Sequence, residues 1–162
     1  MDNLWSPWRM EYIEQEKSQE CIFCIGPTTD QDAQKQILYR GNLAYVIINR
    51  YPYNSGHLMV APYRHLASLK DLEEKELWEL SSLVRECEKI LKEAYQPQGF
   101  NMGLNVGEIA GAGFAYHLHI HIVPRWLGDT NFMPIIAKAK ALPELPEESY
   151  NRLLPFFQIG ET

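Results

Sequence analysis

"YHLHIHIVPRW", residues 116–126, sets His117, His119 and His121 at every second position of an otherwise apolar run. Side chains alternate across a strand, so the three imidazoles share one face while Leu118, Ile120 and Ile122 take the other. The apolar face belongs to a core, and the histidine face is left for chemistry. Neighbouring histidines on it lie about 6.5 to 7 Å apart at Cα, near enough to share a ligand or be bridged by a phosphate. A merely solvated sheet face is the plain alternative, weighed against by the gathering of three of the chain's five histidines in one strand. Two uses compete. Histidines two apart can ligate zinc, but a structural zinc takes four tetrahedral ligands and three collinear residues do not complete it. A neutral imidazole, with an ordinary pKa of about 6.5, can instead attack phosphorus while neighbouring donors neutralise the phosphate oxygens.

Working outward, GEIAGAG (107–113) precedes this strand, and Gly107, Gly111 and Gly113 would let backbone N–H groups approach a phosphate closely. GFNMGLNV (99–106) reads as the strand before that loop. From Asp71 to Tyr95, Leu77, Leu80, Val84, Cys87, Leu91 and Ala94 recur at intervals of three and four, one stripe of a long amphipathic helix capped by Asp71 and Glu74. Cys87 belongs to that stripe and is read as core. QILYRG (36–41) and LAYVIIN (43–49) form an antiparallel hairpin turning near Gly41, and HLMVAPY (57–63) is a third strand. GPTTDQDAQ (26–34) is expected to be a surface loop. Pro134, Pro143, Pro146 and Pro155 keep residues 125–162 mostly irregular, with one short helix near EESYNRLL. The pattern is an antiparallel sheet plus one main helix.

With 162 residues, 46% hydrophobic and 22% charged, the chain suits one domain, 1–162, with an N-terminal arm 1–20 and a C-terminal tail 125–162. A formal net charge of -6 argues against polymeric nucleic acid but allows a nucleotide in a local pocket. No run of eighteen apolar residues exists and MDNLWSPWRMEY does not resemble a leader, so no membrane and a cytoplasmic location are expected. Three cysteines are too few for a disulfide framework; Cys21 and Cys24, in CIFC, have the spacing of a metal knuckle or of a reduced turn. Trp5, Trp8 and Trp126 are read as core or contact residues before base-stacking ones.

His117 through Val123, with histidine and apolar residues alternating, resembles the histidine triad (HIT) motif. INRYPYNSGHLMVAPYRH (48–65) resembles that family's nucleotide-binding segment and GLNVGEIAGAGFAYH (103–117) its phosphate loop. With LWSPWRMEY and PRWLGDTNFMP (124–134), the similarity points to the bacterial branch that includes diadenosine tetraphosphate phosphorylases. The resemblance implies an α+β, HIT-like fold: a five-stranded antiparallel sheet with one long helix and a short C-terminal helix, paired as a homodimer. It implies a nucleotidyl transferase or hydrolase acting on dinucleoside polyphosphates, with no organic cofactor. His119 would be the nucleophile forming a nucleotidyl-histidine, and His121, His57 and His117 its catalytic companions. Asn49 would contact the ribose and Asn105 would orient the phosphate end or the nucleophile, although each could simply terminate its strand. Gly111, Ala112 and Gly113 would offer backbone N–H groups to phosphate, Gly113 standing where hydrolase branches resemble this chain but carry a polar side chain. That opening would admit inorganic phosphate as acceptor, helped by Arg125 or Arg50 unless these are ordinary surface charges. Cys21, Cys24, His65 and His117 would complete a structural zinc site. Two other readings stand beside this one: a hydrolase of nucleoside phosphoramidates or adenylated conjugates, and a zinc-stabilised nucleotide-binding module without turnover.

Overall fold

The computed structural model describes residues 21–26, 28, 30–110, 115–130 and 142–158. The N-terminal arm with Trp5 and Trp8, and the loop residues Gly111, Ala112 and Gly113, lie outside them. Five strands form one antiparallel sheet: β1 (Ile37–Arg40), β2 (Ala44–Ile48), β3 (Leu58–Pro62), β4 (Gly99–Gly103) and β5 (Ile120–Arg125), in spatial order β1-β2-β3-β5-β4. A helical turn, α1 (Asp32–Lys35), stands before β1, inside the segment expected to be loop; Asp32 there receives the guanidinium of Arg40, which ties it to the sheet. The main helix is α2 (Glu74–Tyr95), and α3 (Pro146–Gln158) closes the fold.

Helix α2 starts three residues later than the sequence pattern suggested. Leu69–Asp71 is a 3-10 turn, and the capping box is Glu73 with Glu76 rather than Asp71 with Glu74; the Glu73 N–H donates to the Glu76 carboxylate at 2.8 Å. Glu76 is consequently buried while Leu77 stays exposed, so the core stripe begins at Leu80 and runs through Cys87, Ile90 and Leu91. Each fully buried leucine stabilises the fold by about 1.5 to 3 kcal/mol relative to exposure. The Cys87 thiol is wholly buried, and that burial pushes its pKa up and keeps it inert. Helix α3 extends past the expected EESYNRLL. Pro146 opens it, where a missing N–H is harmless, and Pro155 is carried because Tyr150, Leu153 and Phe157 share one buried face that continues beyond it.

The two faces of the sheet have different covers. Ala44, Val46 and Ile48 of β2, Leu58 and Val60 of β3 and Ile122 of β5 pack with Leu80, Leu91 and Leu153 beneath the two helices. Tyr45, Ile47, Met59 and Ala61 point the other way and meet Phe23 and Ile37. Met59 pairs with His121 across β3 and β5, which places the histidines on this second face. No helix among the described residues is long and apolar enough to cross a membrane.

Candidate active site

Strand β5 begins at Ile120, later than the alternation implied, and β4 ends at Gly103, before Leu104, Asn105 and Val106. His117 and His119 therefore precede the ladder. The reason is visible in their bonds: the Leu118 N–H donates to the Leu66 carbonyl at 2.7 Å, and β3 pairs with β5 only from Leu58 to Val60. Freed from the ladder, this stretch reaches the CIFC turn while keeping all three imidazoles together.

His57, just ahead of β3, and His121 on β5 meet at 3.0 Å, Nε2 to Nδ1. The bonds around them settle which nitrogens carry protons. The Tyr53 N–H donates to His57 Nδ1 at 3.1 Å, and the Asn49 amide approaches the same nitrogen at 3.3 Å. Nδ1 of His57 is thus an acceptor, its proton lies on Nε2, and it donates to His121 Nδ1; the His121 proton is left on Nε2. Burial, and secondarily the nearby His121 and His119, hold the His57 pKa well below the ordinary value, so this ring stays neutral. The Asn49 side-chain oxygen accepts the Tyr51 N–H at 2.9 Å, which orients its nitrogen toward His57.

His119 is buried, with Nδ1 2.8 Å from the His117 carbonyl. A carbonyl only accepts, so Nδ1 carries the proton and Nε2 presents a lone pair. Burial lowers the pKa of His119 and the bond to the carbonyl partly offsets it, which leaves the lone pair available near neutral pH. The ring stacks on Phe23 at a centroid distance of 4.5 Å and 19°, and meets His121 at 4.8 Å and 79°. An imidazole so held can act as a nucleophile toward phosphorus, with the His121 Nε2–H a donor alongside it.

His117 turns toward the cysteines. Its Nε2–H donates to the Pro62 carbonyl at 2.9 Å, leaving the Nδ1 lone pair 3.3 Å from Cys21 Sγ and 3.7 Å from Cys24 Sγ. His65 brings its Nδ1 within 3.2 Å of Cys24 Sγ, and the four donor atoms all lie within 4.8 Å of one another. Around a tetrahedral zinc, sulfur and nitrogen ligands stand about 3.6 Å apart, so the set fits that ion in both chemistry and span. The bond from His117 to the Pro62 carbonyl is of the kind that fixes an imidazole in the tautomer a metal ligand needs. Burial first, and then the neighbouring Cys21, push the Cys24 thiol up; a divalent cation would reverse that balance.

The structure thus gathers His57, His119 and His121 into one cluster and Cys21, Cys24, His65 and His117 into a second beside it, joined through the 117–119 backbone. Asn105 is half-buried beyond β4. Arg125 is engaged by Asp129 and Asn101, and Arg50 donates to the Gln34 carbonyl at 3.0 Å. The sequence reading passed over three contributors. Phe23 lies hidden between the cysteines, Tyr53 supplies a backbone donor, and Asn54 is 4% exposed and donates to both the Pro124 carbonyl (2.8 Å) and the Asp129 carboxylate (2.7 Å). Only the recurrence of turn residues in PYNSG hinted at the last two.

The clustered imidazoles, one with its Nε2 lone pair presented, have the chemistry that attack on phosphorus requires. Residues 30–126, more than half of the chain, match the HIT domain, and the chain belongs to that family. It is 40% identical over 162 aligned residues to the AP-4-A phosphorylase of Mycobacterium tuberculosis, a match covering 95% of this chain and 83% of that protein. It is 34% identical over 94 residues to the asymmetrical bis(5'-nucleosyl)-tetraphosphatase of Schizosaccharomyces pombe, covering 58% of this chain and 51% of the relative. A zinc-bound histidine triad family protein from Mycobacterium smegmatis shares the fold, with a TM-score of 0.68 at 23% identity over 88% of this chain and 96% of that one.

Proposed function

We propose that this protein is a nucleotidyl transferase that splits dinucleoside polyphosphates by phosphorolysis through His119. The observation that carries the reading is the 2.8 Å contact of His119 Nδ1 with the His117 carbonyl, which puts the proton on Nδ1 and leaves Nε2 its lone pair. The similarity to an AP-4-A phosphorylase over nearly the whole chain supports the substrate class.

In the first step His119 Nε2 attacks the α-phosphorus of diadenosine tetraphosphate. The bond from that phosphorus to the bridging oxygen breaks, and ATP leaves, with AMP held on His119. The Nδ1–H bond to the His117 carbonyl stabilises the positive charge that the ring acquires. His121 Nε2–H donates to a phosphate oxygen, and the neutral His57 holds His121 in the tautomer that can do so. An oxygen of inorganic phosphate then attacks the same phosphorus, the P–N bond breaks, and ADP is released with His119 restored. The backbone of Gly111, Ala112 and Gly113 would hold the acceptor, with Asn105 near the phosphates and Asn49 at the ribose edge. Cys21, Cys24, His65 and His117 would hold a structural zinc, whose contribution is to fasten the CIFC turn to the sheet. The same reading takes the protein as a cytoplasmic homodimer, a pairing supported by the edge position of β4 and the exposure of its Met102.

The test is product analysis by chromatography with diadenosine tetraphosphate. ATP and ADP in equal amounts are expected when phosphate is present. ATP with AMP at saturating phosphate would make the protein a hydrolase, and no turnover would leave a binding module.

A further inference from the structure

We infer that Phe23 is a positioning residue for His119, and that the Cys21–Cys24 turn acts on the reaction through it. The inference rests on the reading of His119 as the nucleophile.

Phe23 is 2% exposed although it belongs to a turn whose neighbours Ile22 and Cys24 are exposed. Its place is over-determined. The Cys24 N–H closes the turn on the Cys21 carbonyl at 3.0 Å, and the Phe23 carbonyl accepts both the Ile25 N–H (3.0 Å) and the hydroxyl of Tyr45 (2.8 Å) from the floor of the sheet. Tyr45 is itself fully buried, so that hydroxyl is a rigid anchor. From this fastened backbone the ring packs with Tyr45, Ile47 and Met59 and reaches the histidines. It stacks on His119 at 4.5 Å and 19°, and lies at 5.5 Å and 41° from His117.

The contact constrains what hydrogen bonding leaves free. A single bond from Nδ1 to the His117 carbonyl fixes one edge of the His119 ring but permits the ring to swing about that bond. Nucleophilic attack needs the Nε2 lone pair in line with the breaking P–O bond, a matter of ring plane as well as position. Phe23 packs flat against that plane, and the His121 ring meets it at 79° with centroids 4.8 Å apart. Both of the supports of His119 on the turn side, the Phe23 ring and the His117 carbonyl, come from residues inside or between the metal-ligand set. The metal cluster is therefore built into the alignment of the nucleophile as well as into the anchoring of the chain.

The experiment pairs Phe23→Leu with His119→Gly. Leucine keeps an apolar side chain in the pocket but loses the flat ring. Zinc content should equal that of the wild type, KM should move by less than about twofold, and kcat should fall by about ten- to a hundredfold, the usual consequence of a slightly misaligned reacting group. In 15N-histidine NMR, the wild type should show one Nδ1–H tautomer for His119 with ring protons shifted upfield by Phe23, and the variant should lose that shift. Wild-type kcat with unchanged His119 signals in Phe23→Leu overturns the inference. Where His119→Gly is inactive at the same time, the proposed nucleophile stands and only this inference falls; a fully active His119→Gly removes the reading beneath both. Should Phe23→Leu not fold, the wild type treated with a zinc chelator serves: loss of the Phe23-induced shift at His119 supports the coupling, and its persistence overturns it.

Discussion

Asn54→Ala removes one buried amide that holds two parts of the site together. The single nitrogen uses both of its hydrogens, on the Pro124 carbonyl at 2.8 Å and on the Asp129 carboxylate at 2.7 Å, and so joins the loop carrying Tyr53 and His57 to the far end of β5. A neutral hydrogen bond contributes about 1 kcal/mol and one to a charged group about 1.5 to 3, so their loss should cost about 2 to 4 kcal/mol. The lower end is favoured because Asp129 keeps Arg125 and the Trp126 N–H as partners. For a chain of this length that is a fall in Tm of roughly 5 to 15 °C. Asn54→Asp should be worse at pH 7, since it sets a second carboxylate against Asp129 and a carbonyl, and it should recover toward the alanine variant as the pH is lowered through the carboxylate range. Urea unfolding followed by circular dichroism measures both variants. A loss under about 0.5 kcal/mol for Asn54→Ala, or an aspartate variant more stable than the alanine one at pH 7, would refute the reasoning.

Three further outcomes are expected. Cys21→Ser should abolish zinc retention, measured by elemental analysis of protein purified without chelator, and should lower Tm, because a structural metal contributes its binding energy to folding. Stability should fall as the pH is lowered from about 6.5, since His57 is protonated in the unfolded chain at a pH where the native state keeps it neutral; this contribution is fully present above the unfolded value, and His57→Asn should flatten the slope measured by urea titration. At lower pH a second loss should follow: Arg64, and then the Glu73 N–H, hold Glu76 down to about 2 against its burial, so its contribution is present above the unfolded value of about 4.3 and disappears as the pH falls toward 2, a slope that Glu76→Gln should reduce.

Periodicity along the chain carried much of the architecture. The alternation in residues 116–126 marked the histidine face, because a strand with two unlike faces must repeat every second residue whatever its partners are, and the continuous apolar runs around Val46 and Val60 marked β2 and β3, which are covered on both faces. The stripe from Leu80 to Leu91 marked the helix for the equivalent reason at a period of 3.6. Even the four metal-ligand candidates were legible as residue types of the right chemistry. What alternation could not reveal is where the ladder stops. His117 and His119 lie outside β5 because Leu118 finds its partner in Leu66, a residue more than fifty positions away in sequence. The start of α2 escaped in part for a similar reason: the Glu76 of its capping box also takes the guanidinium of Arg64, which local propensity does not contain. The proton position that leaves Nε2 of His119 with its lone pair depends on a carbonyl, and those of His57 and His121 on the Tyr53 N–H. Backbone groups are identical in every residue, so the sequence by itself names the imidazoles, and only the tertiary structure decides which of their nitrogens is left bare.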